Sequence, residues 1–214
     1  SNALAKETMM TISLSDAGKR YNRDWIFRHV TYQLSPGNSY AITGPNGSGK
    51  STLLQAISGA LLLNEGKCEW SLPSQSLNAE NVYRHVSICA PYLELIEEMT
   101  AKEFLDFHQG FKPFLPEITT QSIIEILGLE KATHKQIRFY SSGMKQRVKL
   151  AQCIFSDSAL VLLDEPCTNL DSTGINLYHS LIQQYCTNRL VVVSSNDEVE
   201  YGFCSKRINI SDYK

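Results

Sequence analysis

Long apolar runs are missing from this sequence. Nowhere do about 18 apolar residues follow one another, so no membrane-crossing helix is expected. No signal peptide is visible, and Ser1-Asn2-Ala3 reads as the remnant (residues 1–3) of a cleaved expression tag. No repeat or low-complexity linker divides the chain. Charge of one sign is lacking too. Twenty basic residues against 22 acidic ones leave a net charge of −2, too little to attract nucleic acid or an anionic membrane, and no nucleic-acid partner is expected. Six cysteines are present, but none forms a C-x-x-C pair and the five histidines do not cluster with them, which argues against a zinc site. Several cysteines lie in apolar runs, as in Val86-Ser87-Ile88-Cys89, the pattern of buried reduced thiols in a reducing cytosol. What remains is a chain of 214 residues, 43% apolar, enough for a real core in one large domain or two small ones.

The most informative stretch is Gly44-Pro45-Asn46-Gly47-Ser48-Gly49-Lys50-Ser51-Thr52, which fits G-x-x-x-x-G-K-[ST], the phosphate-binding P-loop. The strand-like run Ser39 to Thr43 precedes it, and Thr52 to Ile57 reads as the start of a helix that ends near Gly59. Glycines let the backbone curl with its N–H groups inward, and a helix N-terminus adds free donors and positive dipole. In this motif Lys50 would reach the β- and γ-phosphates of a bound nucleotide and the Ser51 hydroxyl would hold Mg²⁺.

Along the rest of the chain, Met9 to Leu14 reads as a strand, Ser15 to Asp24 as a polar turn-rich stretch containing Tyr21, and Trp25 to Leu34 as a second strand. Gly66 to Trp70 and Val86 to Cys89 look like further strands. From about Tyr92 to Phe155 the texture is mostly helical. Lys102 to His108 is one helix. Glu117 to Leu127 is another, with Pro116 before it and Gly128 just past its end. Ser142 to Phe155 is a third, with Met144, Val148, Ala151 and Phe155 forming its core face and Lys145, Arg147 and Lys149 a basic side. Ala159 to Leu163 and Leu190 to Val193 are continuous apolar runs, as in parallel strands buried on both faces, and Ser172 to Tyr185 reads as a helix between them.

The first of those runs leads into Asp164-Glu165-Pro166. An acid at the C-terminal end of a buried parallel strand stands where open α/β sheets bind ligands. There Asp164 would hold Mg²⁺, directly or through water, and Glu165 would orient or deprotonate an attacking water.

Between the two motifs lies Tyr140-Ser141-Ser142-Gly143-Met144-Lys145-Gln146-Arg147, its Ser141 falling 23 residues before Asp164. Together these segments resemble the nucleotide-binding subunits of ABC transporters, over a span from about Met9 to Lys214. The resemblance implies an α/β P-loop NTPase (RecA-like) fold with an antiparallel β segment and an inserted α-helical subdomain. It implies one ABC ATPase domain over residues 4–214, with a core at 4–90 and 157–214 and the insertion at about 91–156. It further implies that Tyr21 stacks on adenine and that Gly44 to Thr52 is the Walker A segment. Ser141 and Gly143 would face the γ-phosphate of ATP bound by a second subunit. Leu160 to Asp164 would be Walker B, Glu165 the catalytic glutamate and Thr168 to Asp171 the D-loop. ATP and Mg²⁺ are the implied ligands. A second ATPase subunit, in a homo- or heterodimer, and a separate transmembrane permease are the implied partners. The implied place is cytoplasmic, on the inner face of the cell membrane through that permease.

Three departures from the family pattern stand out. The signature reads Ser141-Ser142-Gly143-Met144 where L-S-G-G-Q is common. Pro91 falls where a glutamine is expected, and proline has neither a side-chain donor nor a backbone N–H. Asn196 falls where a histidine is expected; its amide can still donate to phosphate but does not titrate. The expectation is hydrolysis at a reduced rate, in a subunit that leans toward export. Two other readings stay open: a soluble single-cassette ATPase acting on a protein partner, and a clamp that closes on ATP with little hydrolysis.

Overall fold

Two apolar runs are buried along their whole length and set the architecture: β7 (Leu160–Asp164) and β8 (Leu190–Ser194). Each fully buried Leu or Val contributes roughly 1.5–3 kcal/mol, so two such strands make a strong nucleus for a sheet. The computed structural model describes residues 9–214; the expected tag remnant lies outside the described residues. The chain divides into two units. The first comprises residues through Val86 with Ser158–Asp164 and Asn188–Lys214; the second comprises Ser87–Asp157 and Glu165–Thr187.

The first unit holds two sheets. One is antiparallel, in the order β2-β1-β4-β5, built from β1 (Thr11–Tyr21), β2 (Asp24–Leu34), β4 (Glu65–Leu72) and β5 (Gln75–Leu77). The stretch Ser15–Asp24, expected as a turn, is mostly strand. β1 runs on to Tyr21 through irregular register, with Asp16 at φ 48°, and turns only at Asn22, where φ is 55°. Bulges let a polar segment stay in the ladder without alternating cleanly between core and solvent, which is why its pattern read as a turn. The short β5 carries no period of its own and was not expected.

The other sheet is parallel. Within this unit its strands run β7-β8-β3-β9, with β3 (Ser39–Thr43) and β9 (Lys206–Asn209) completing it. Asp164 pairs with Ser194, Ser194 with Ile42, and Thr43 with Asn209, so the C-terminal ends of four strands finish level. Helix α1 (Lys50–Ile57) follows β3, and the Trp70 indole N–H donates to the Ile57 carbonyl at 2.7 Å. That bond satisfies one of the orphan carbonyls at the helix end.

Strand β6 (Val86–Cys89) carries the chain into the second unit, which is mainly helical. Residues Tyr92–Met99, expected as part of a helical stretch, form turns and irregular backbone, and α2 (Ala101–Gln109) starts only where Thr100 and Glu103 form a reciprocal capping box. Helix α3 (Thr120–Leu127) starts three residues later than expected. Glu117 has φ 68°, which no helix allows, and Thr119 caps the first turn with Ser122. Gly128 ends it at φ 68°, a left-handed cap. Helix α4 (Ser142–Ile154) buries Val148 and Ala151, with Phe155 buried just beyond it, but Met144 is only half-buried. Leu150, Cys153 and Ile154 are buried as well, so the core face is wider than one stripe. Helix α5 (Ser172–Tyr185) closes this unit, and a single turn α6 (Glu198–Tyr201) follows β8 in the first.

Candidate functional site

The loop after β3 has the shape its glycines permit. Gly44, Gly47 and Gly49 sit at φ 146°, 77° and 104°. A Cβ on Gly44 would come within 2.6 Å of Ile210 Cγ2 and 2.9 Å of Ser48 Oγ, and one on Gly49 within 2.3 Å of Ile26 Cγ2. Helix α1 begins at Gly49 with no side chain capping it. Lys50 is buried, and its ammonium donates to the carbonyls of Gly44 at 2.8 Å and Pro45 at 3.0 Å. The lysine thus lies folded along the loop, with its charge over the turn. The Lys214 ammonium donates to the carbonyls of Ile26, at 2.8 Å, and Ser48, bracing the loop from below.

At the level strand ends, Asp164 is buried at the tip of β7. Strands are spaced about 4.8 Å apart, so with β8 between them Asp164 stands roughly 10 Å from the end of β3, where the loop begins. On β8, level with Asp164, the Ser194 hydroxyl is fully buried and has no hydrogen-bond partner; the Ser48 hydroxyl in the loop has none either. An unpaired buried hydroxyl costs about 1–3 kcal/mol, so two beside one loop mark a place built for further oxygen ligands. Just past β8, the Asn196 amide donates to Asn46 Oδ1 at 2.9 Å, linking the loop after β8 to the P-loop. Tyr21 is exposed at the end of β1, with the Lys19 ammonium 5.1 Å from its ring centroid.

In the second unit, Glu165 is exposed and takes φ 46°. A non-glycine residue in that region is strained, and its carbonyl is held by the Thr168 hydroxyl at 2.8 Å. Ser141 caps α4, its hydroxyl accepting from the Met144 N–H at 3.2 Å. A Cβ on Gly143 would lie 3.1 Å from the Asn169 carbonyl, so the signature glycine allows a close approach of the segment after Glu165. Ser141, Gly143, Arg147 and Asp171 line one groove of about 520 Å³. Gln146 is buried and donates to the Pro166 carbonyl at 2.8 Å, fixing the turn that carries Glu165. Asp171 caps α5 by accepting from the Gly174 N–H at 2.8 Å. Pro91 is exposed and offers no donor where the sequence pattern expects a glutamine.

A family model described as ABC transporter matches residues 27–168, two thirds of the chain. This chain belongs to the ABC transporter family. A Bacillus subtilis protein named as an uncharacterized ABC transporter ATP-binding protein, YxlF, is 32% identical over 166 residues, covering 76% of this chain and 55% of that protein. The cytochrome c biogenesis ATP-binding export protein CcmA of Xylella fastidiosa is 31% identical over 151 residues, covering 71% of this chain and 67% of the relative. The CcmA of Albidiferax ferrireducens is 27% identical over 198 residues, covering 92% and 94%. The chain spans about half the length of some of the curated relatives it matches. A putative ABC transporter ATP-binding protein from Pyrococcus furiosus superposes with a TM-score of 0.78 at 20% identity, covering 95% of this chain and 99% of that one. An ATP-binding subunit of an ABC transporter superposes with a TM-score of 0.80 at 21% identity, covering 93% and 85%. The fold is that of the ABC ATPases: a P-loop α/β core with an antiparallel sheet.

Members of the family bind ATP, typically with Mg²⁺. The open glycine cradle, the uncapped helix start and the unpaired Ser48 hydroxyl fit phosphate oxygens. Among the described residues no group of three His, Cys, Asp or Glu side chains could hold a metal. Mg²⁺ suits such a place, because it binds through one or two protein oxygens and completes its shell with phosphate and water. Three contacts escaped the sequence reading: Ser194 beside Asp164, Gln146 under the Glu165 turn, and Asn46 bound to Asn196. The only local signal was Gln146, a polar residue on the buried side of α4.

Proposed function

We propose that this protein is the ATP-binding and hydrolysing subunit of an ABC transporter, working as a dimer that closes around Mg-ATP and drives a separate membrane permease. The observation that carries the reading is the cradle itself: Gly44 to Thr52 with Lys50 folded over it, and Asp164 at the level strand ends of the same unit. The loop amides of Gly47 to Lys50 and the start of α1 bind the β- and γ-phosphates, and Lys50 leaves its two carbonyls for the phosphate oxygens. Ser51 and Asp164 would hold Mg²⁺, which would supply positive charge against the charge developing on the phosphate oxygens. Tyr21 offers its exposed ring to adenine. Ser141 and Gly143 meet the γ-phosphate of the nucleotide held by the other subunit. Glu165 takes a proton from the attacking water, and Asn196 holds the γ-phosphate without titrating. With Pro91 and Asn196 in place of a glutamine and a histidine, turnover is slow.

The single ABC ATPase domain covers residues 4–214, with a core at 4–90 and 157–214 and a helical insertion at about 91–156. Among the described residues no helix is long and apolar enough to cross a membrane. The protein is assigned to the cytoplasmic face of the membrane, held there by its permease, with no nucleic-acid partner. Export is favoured because two relatives carry the name of an export protein.

The deciding experiment is Mg-ATP hydrolysis at high protein concentration for wild type and Glu165→Gln, with and without the permease. Glutamine keeps the shape of the side chain and cannot act as base, so turnover should fall by roughly 10²-fold or more while ATP binding persists. Equal turnover in both proteins would remove Glu165 from the chemistry. If both bind ATP and neither turns it over even with the permease, the molecule is an ATP-dependent clamp.

A further inference from the structure

Behind the Asn196 contact lies a buried carboxylate. Glu200, on the single turn α6, is 6% exposed, and its Oε1 accepts from the Ser195 hydroxyl at 2.5 Å. Ser195 is itself fully buried. Its N–H donates to the Ile42 carbonyl at the end of β3, at 3.1 Å, and its hydroxyl oxygen accepts from the Asp197 N–H at 2.9 Å. Asp197 in turn caps α6, accepting from the Val199 N–H at 2.9 Å, while the Glu200 N–H donates to the Asp197 carbonyl at 2.9 Å. The turn from Ser194 to Asp197 is therefore clasped from within, and it reaches the P-loop through the Asn196 amide, bound to Asn46. A buried carboxylate must be held by partners, and the Ser195 hydroxyl is one that holds Glu200. The same hydroxyl is thereby fixed in the turn that carries Asn196.

We propose that Glu200 is a positioning residue for the nucleotide site: by holding the Ser195 hydroxyl it aims Asn196 at Asn46 and so keeps the rim of the P-loop in its phosphate-binding shape before nucleotide arrives. Glu200 touches neither nucleotide nor metal in this scheme. It acts through Ser195 and Asn196, both a few residues away in sequence, on Asn46, which is 150 residues away from Asn196. A preshaped loop pays less ordering entropy on binding, so the effect falls on affinity for ATP and ADP alike rather than on the chemical step.

The inference rests on the nucleotide reading above, and one titration separates the two. Dissociation constants for a fluorescent ATP analogue and its ADP counterpart, with Mg²⁺, are measured on the full chain for wild type, Lys50→Ala, Asn196→Ala, Glu200→Ala, Glu200→Gln and the Asn196→Ala/Glu200→Ala double variant. Lys50→Ala should abolish binding. Glu200→Ala should weaken both nucleotides about fivefold, the worth of one hydrogen bond, and Asn196→Ala should do the same to ADP while weakening ATP at least as much, because it also loses its hold on the γ-phosphate. The double variant should be no worse than Asn196→Ala, because both changes break the same linkage. Glu200→Gln, which still accepts from Ser195, should stay within about twofold of wild type. If Glu200→Ala does not fold, Ser195→Ala makes the same test, with the same loss and the same lack of additivity with Asn196→Ala. Wild-type affinity in Glu200→Ala, or losses that multiply in the double variant, would overturn the linkage. Equal affinity in wild type and Lys50→Ala would instead overturn the nucleotide reading.

Discussion

In the proposed ATPase the P-loop and the signature segment would both present backbone N–H groups to phosphate, and they are shaped for it by opposite means. The P-loop is shaped by backbone freedom. Three glycines take left-handed or otherwise glycine-only conformations, and helix α1 starts with no side chain capping it. The signature segment is shaped by side chains. Ser141 caps α4 with its hydroxyl, and Gly143 lies inside the helix with ordinary helical backbone. There the glycine matters for space, since the Asn169 carbonyl comes close to it. This contrast explains why the sequence departs from the family pattern in one place and not the other. Ser142 in place of a second glycine requires no left-handed backbone, so the signature accepts it. No comparable change stands in Gly44 to Thr52.

Breaking the contrast should be easiest at Gly49. In Gly49→Ala the new Cβ would lie 2.3 Å from Ile26 Cγ2, at φ 104°. Backbone strain of roughly 1–2 kcal/mol adds to overpacking of about 1–3 kcal/mol. The variant should lose about 2–5 kcal/mol of stability in denaturant unfolding and most of its nucleotide affinity. Gly143→Ala should be far milder. The contact with the Asn169 carbonyl would be tight at 3.1 Å, but alanine is a better helix former than glycine by up to about 1 kcal/mol. The two effects nearly offset, so stability should change by less than about 1 kcal/mol and single-subunit ATP affinity should hold. A loss in Gly143→Ala as large as in Gly49→Ala would mean that both segments depend on backbone freedom.

The same contrast governs what could be read from the sequence. The P-loop was legible because its constraint is local: a glycine must stand where a Cβ cannot, and the spacing records it. The β7 and β8 strands were legible because burial on both faces leaves an unbroken apolar run. Ser15 to Tyr21 misled because bulges break the alternation while partners on both sides keep the strand. Glu117 misled because a left-handed backbone is unusual for glutamate and nothing in the sequence marks it. The ties from Gln146 to Pro166 and from Asn196 to Asn46 were invisible for another reason. They join segments 20 and 150 residues apart, and a pairing of that range leaves no trace in a local pattern.

Asn196 sharpens the comparison, because here a side chain serves the P-loop that backbone otherwise shapes. Its amide is engaged by Asn46 at 2.9 Å and carries no titrating proton. If turnover is slow because this position lacks a histidine, Asn196→His should raise kcat severalfold at pH 8, where imidazole is neutral and can exchange a proton. The gain should shrink as the pH falls through about 6.5, where the imidazole becomes charged, while the wild-type rate shows no step from this position. The readout is kcat against pH for both proteins at saturating Mg-ATP. A variant no faster than wild type at any pH would show that the amide already does all this position requires. The rate would then be limited elsewhere, with Pro91 the next residue to replace.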